Sequence, residues 1–81
     1  MRTAWFIVIE SLDRFWVDYE GKAYGPFEDQ AHAEREGQRL AETYGDRRRQ
    51  IELWSPDRDG KLKRTWFQPG APSLADRIEA A

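Results

Sequence analysis

The segment "YGPFEDQAHAEREGQRLAETYG", Tyr24–Gly45, decides how this chain is read. Gly25, Pro26 and Phe27 form a glycine–proline–aromatic corner, which is turn chemistry. Asp29 then stands where a helix N-cap is expected, with Glu28 beside it and Glu34 not far along; negative charge suits that end of a helix. From there Ala33, Gly37, Leu40, Ala41 and Tyr44 recur at helical spacing, while Glu34, Arg35, Gln38, Arg39 and Glu42 fall on the other side. A glycine inside a helix costs roughly 1 kcal/mol relative to alanine. Gly37, set in a stripe of small residues, therefore implies a close approach to something bulky, such as Trp or Phe side chains rising from a sheet. Gly45 sits where a left-handed residue is expected to end the helix.

Extended segments flank this helix. "AWFIVIE" (Ala4–Glu10) is rich in aromatic and β-branched residues and reads as a strand. "RFWVDYE" (Arg14–Glu20) alternates, with Phe15, Val17 and Tyr19 on one face and Trp16, Asp18 and Glu20 on the other, so it pairs with the first strand as a hairpin. Gly21 and the Gly25-Pro26 pair end it. Beyond the helix, "RQIELWS" (Arg49–Ser55), the turn "PDRDG" and "KLKRTWF" (Lys61–Phe67) form a second hairpin. "SLADRIEAA" opens with Ser73 and has Asp76 three residues later, which resembles a capping box.

The expected architecture is α+β: an antiparallel four-stranded sheet in the order β-β-α-β-β, with one helix on one face. Residues 1–70 form a single domain, and 71–81 a tail or short helix. Ile7, Ile9, Phe15, Val17, Tyr19, Leu40, Ile51, Leu53 and Leu62 are expected in the core, with Trp5 and Trp66 partly so.

At 81 residues the chain is near the lower limit for folding alone, and it contains no cysteine to supplement the core with a disulfide or a thiolate-held metal. Burial of four Trp, four Phe and three Tyr must supply much of the stability. The longest apolar run, Ala4–Ile9, is too short to span a bilayer, and the start lacks a charged signal-peptide region, so a cytoplasmic location is expected. The net charge of −2 disfavours a general polyanion binder. Its basic residues gather at Arg47, Arg48 and Arg49 and at Arg58, Lys61, Lys63 and Arg64, which leaves nucleic-acid binding as a minor alternative.

The functional question rests on aromatic pairs: Trp5-Phe6, Phe15-Trp16 and Trp66-Phe67. Neighbours on a strand point to opposite faces, and a single helix covers only one of them. The open face is expected to carry Phe6, Trp16, Trp54 and Phe67, interleaved with Val8, Asp18, Glu52, Lys63 and Thr65; Trp66 could exchange with Phe67. Three accounts compete. The rings stabilise a small sheet while the C-terminal segment folds over them; the face closes a homodimer or meets a protein partner; or it is a platform for a ligand, peptide or single-stranded nucleic acid.

Catalytic chemistry is not expected. His32, the only histidine, has Asp29 and Glu36 at helical spacing, too common a pattern to indicate a metal site. No second histidine or cysteine exists to build a nucleophile–base pair. "DRDG" lacks the rest of a calcium loop, and "EGKAYG" lacks the Lys-Ser/Thr of a phosphate loop. No enzyme, cofactor or metal is expected.

Two resemblances follow from these residues. Trp5–Phe67 resembles small bacterial β-β-α-β-β domains of unknown function, on Trp16, Phe27, Ala33, Leu40, Ile51, Asp59 and Gly60. "FWVDYEGKAYGPF" resembles the opening of GYF domains on Trp16, Tyr19, Gly25, Pro26 and Phe27, which implies binding of proline-rich peptides on an aromatic surface. An extra preceding strand and a long polar helix depart from that pattern.

Overall fold

The computed structural model describes residues 3–46 and 48–70. Two two-residue turns build the first half. Strand β1 (Ala4–Ser11) turns at Leu12-Asp13 into β2 (Arg14–Tyr19), which turns at Glu20-Gly21 into β3 (Lys22–Phe27). All four turn residues have positive φ, the geometry that matches the twist of a tight hairpin. Helix α1 (Gln30–Tyr44) follows, then β4 (Ile51–Pro56) and β5 (Leu62–Gln68), joined by a turn in which the Asp57 carboxylate accepts from the Lys61 and Asp59 amides.

The result is a five-stranded mixed sheet of order β3-β2-β1-β4-β5, with β1 and β4 parallel. The expectation of four antiparallel strands is corrected in two ways. The Gly25-Pro26 stretch, read as a break, belongs to strand β3; proline is tolerated there because β3 is an edge strand. The return from the helix brings β4 beside β1 in the same direction, so the two hairpins meet through a parallel central pair. Residues 71–81, including the capping box at Ser73, lie outside the described residues.

The helix begins as expected: the Asp29 side chain accepts from the His32 amide at 2.7 Å. Gln30 then ties it to β4, its amide donating to Ser55 Oγ at 2.8 Å and to the Pro56 carbonyl at 2.6 Å. Gly45 closes the helix by donating to the Ala41 carbonyl, but in an extended rather than a left-handed conformation (φ −70°). Ala33, Gly37 and Ala41 are the buried stripe. A Cβ on Gly37 would stand 2.9 Å from Leu53 Cδ1 and 3.3 Å from Val17 Cγ2. The close approach is real, but aliphatic side chains, not rings, make it.

Beneath the helix lie Ala4, Phe6, Val8, Val17, Ile51 and Leu53, with Phe15, Tyr19, Tyr24, Leu40 and Trp66 packed against them. Phe6 is fully buried and stacks on Tyr19, ring centres 4.0 Å apart. The phase of β1 is therefore the reverse of that expected: Phe6 and Val8 are core residues, while Trp5, Ile7 and Ile9 turn to the side without a helix. Leu62, also expected in the core, is exposed on that side.

Candidate interaction surface

The register of the strands sets the helix-free face in rows. Trp5, Glu52 and Phe67 occupy one row across β1, β4 and β5. Asp18, Ile7, Trp54 and Arg64 occupy the next, across β2, β1, β4 and β5. Trp16 and Ile9 share a third. A bulge between Leu53 and Trp54 takes Thr65 out of step, so Arg64 joins this face and Lys63 leaves it to pair with Ser55. Lys63 instead forms an ion pair with Asp57.

Glu52 organises the first two rows. The indole N–H groups of Trp5 and Trp54 both donate to Glu52 Oε1 at 2.9 Å. Its other oxygen accepts from Gln50 at 2.7 Å and from Arg64 Nη1 at 3.2 Å. Glu52 is only 7 % exposed, and four donors satisfy its carboxylate. These bonds, that from Trp54 foremost, hold its pKa below the ordinary carboxylate value against the opposing effect of burial. Arg64 is held in turn: its guanidinium lies 4.5 Å from the centre of the Phe67 ring, a cation–π contact.

This arrangement leaves large apolar side chains open to solvent. Trp5 is 56 % exposed, Leu62 48 %, Phe67 41 % and Ile9 37 %. Trp5, Ile7, Trp54 and Leu62 line a shallow hollow above Glu52. A second hollow beside it is formed by Trp5, Ile7, Asp18 and Glu20, with Arg49 at its end. Arg49 bonds the Thr3 carbonyl at 3.2 Å and Glu20 at 3.4 Å.

Of the four side chains expected on this face, Trp54 and Phe67 are brought together with Glu52 and Arg64. Trp16 lies farther along β2, half-buried, its indole donating to the Ser11 carbonyl at 3.0 Å. Phe6 is not there at all: it lies under the helix, and its neighbour Trp5 takes the open position. Trp66 packs against the core and does not exchange with Phe67. Val8 is buried as well. Trp5 and Arg64 are the residues that sequence reasoning missed on this face; Glu52 was expected there, but not as the acceptor that holds the indoles. The available signal was an acidic residue two positions before a tryptophan on a strand facing other indoles, which need an acceptor.

No family model matches the chain, and no curated protein or solved structure matches it significantly. The residues that resemble a GYF domain divide between the two faces: Trp16 on the open side, Tyr19 stacked on Phe6 beneath the helix. Within the basic second half, Arg49, Lys63 and Arg64 each pair with a carboxylate. His32 sits 4.0 Å from Glu36, and among the described residues no group of three metal-ligating side chains converges. No described helix is long and apolar enough to cross a membrane.

Proposed function

We propose that the chain is a non-catalytic interaction module that closes against a second copy of itself through the helix-free sheet face. The observation that carries this reading is that two tryptophans are fixed by one buried carboxylate while the ring of Trp5 stays more than half exposed. Tryptophan and arginine dominate the energetics of protein interfaces when they are desolvated, and side chains already held in place lose less entropy on binding. The patch also has the size. Five strands spaced about 4.8 Å apart, each contributing about six residues, present on the order of 500 Å² in projection. Side chains standing off that plane raise the accessible area toward the roughly 800 Å² per partner of an ordinary stable interface. A different protein partner on the same face is the alternative.

Sedimentation equilibrium tests it. The chain is expected to form a concentration-dependent dimer that Trp5→Ser and Phe67→Ser each weaken, while far-UV circular dichroism stays unchanged. A strict monomer up to millimolar concentration removes the homodimer.

A further inference from the structure

The charges of the uncovered face are arranged, not scattered. Because Ile7 pairs with both Asp18 and Trp54, and Trp54 with Arg64, the row Asp18–Ile7–Trp54–Arg64 runs level across four strands. A carboxylate stands at one end and a guanidinium at the other. Asp18 has no hydrogen-bond or ion-pair partner among the described residues, and it shares a hollow with Trp5 and Ile7. Arg64 spends one N–H on Glu52, and its side chain is 47 % exposed, so further donors of its guanidinium remain free to point outward.

Resting on the homodimer reading, we infer that the second copy docks about a two-fold axis that runs along the strands, midway between β1 and β4. That operation exchanges β1 with β4 and β2 with β5. Since the row is level, Asp18 of each copy comes to stand over the partner's Arg64, and Ile7 over the partner's Trp54. Facing sheets pack about 10 Å apart, a gap that an aspartate and an arginine reach across together. Aligned sheets cross at about 30°. Strands β2 and β5 lie only about 7 Å from the axis, so the crossing shifts the pair by about one residue, within the reach of an arginine. Trp5, in the adjacent row, is carried over the partner's Glu52, the counterpart of the carboxylate that holds its indole within its own chain. Sliding the sheets by one strand sets Asp18 over the partner's Trp54 in one direction, a costly burial of an unpaired carboxylate, and beyond the edge of the partner's β5 in the other; either way it loses Arg64, which keeps only its own Glu52.

A charge exchange tests this orientation. Asp18→Arg alone brings two arginines together at both contacts, and Arg64→Asp alone brings two aspartates together. Each protein by itself is expected to dimerise at least tenfold more weakly than the wild type. Mixed in equal amounts, the two restore both contacts and form a one-to-one heterodimer, read by native mass spectrometry. Because Arg64→Asp also withdraws a partner from Glu52, Asp18→Asn serves as a second variant. It keeps the shape, and it is expected to weaken the dimer roughly tenfold and to flatten its salt dependence. A mixture no stronger than its components, or an Asp18→Asn dimer with wild-type affinity and salt response, overturns the orientation while a wild-type dimer keeps the homodimer reading. A monomeric wild type overturns both.

Discussion

The Trp5 indole donates to Glu52 Oε1 across 2.9 Å, joining residues 47 positions apart on neighbouring parallel strands. With Trp54 on the same oxygen, the bond turns a carboxylate that alternation assigns to water into the fixed point of the helix-free face. The chain thus uses a charge to hold rings in place on the side where no helix covers them.

Removing that charge has a signed dependence on pH. The folded-state pKa of Glu52 is depressed, so its contribution to stability is fully present above the unfolded value, about 4.3 for a glutamate, and is lost as pH falls through the folded value. At neutral pH and at dilute protein, Glu52→Gln is expected to lower the unfolding free energy by about 1–2 kcal/mol, the worth of hydrogen bonds to a charged acceptor. Urea unfolding repeated from pH 7 downward checks the sign: the gap between the two proteins narrows as the pH drops below the usual carboxylate range. Parallel profiles at all pH values would show that Glu52 does not hold this role.

A second prediction concerns the β1–β2 turn. Leu12, 86 % exposed, sits at φ 55°, next to Asp13 at φ 59°. A branched side chain in the left-handed region costs about 1–2 kcal/mol, which asparagine largely avoids. Leu12→Asn removes little buried area, so it is expected to raise stability by about 0.5–1 kcal/mol and the melting temperature by several degrees. Scanning calorimetry decides it; an unchanged or lowered midpoint means that the leucine makes a stabilising contact in solution.

How much of this was legible in the sequence depends on the residue. The helix was: Asp29 caps it, and Gly37 marks the place where Leu53 and Val17 press against the backbone. The phase of β1 was not, because Ala4–Ile9 is apolar at every position and periodicity cannot tell two buried or half-buried faces apart. What decides it is volume: the small stripe of α1 accepts Ala4, Phe6 and Val8, and leaves the larger indole of Trp5 on the free side. Strand β3 was hidden by the Gly25-Pro26 pair, whose turn chemistry an edge strand tolerates. The parallel pairing of β1 with β4 is a long-range contact with no local signature. Arg64 replaced Lys63 on the open face because a bulge at Thr65 shifts the alternation. The splitting of each aromatic pair between two faces followed from strand geometry alone, although for Trp5-Phe6 the wrong ring was placed outside.

The most direct measurement is a dilution series followed by two-dimensional NMR of the amide and indole groups. If the helix-free face is the contact surface, signals of Trp5, Ile7, Ile9, Asp18, Trp54, Arg64 and Phe67 move together between micromolar and millimolar protein. Those of Arg35, Gln38 and Glu42 on the helix stay fixed. Shifts confined to the helix, or a spectrum independent of concentration with the Trp5 indole shielded from solvent throughout, would contradict the account.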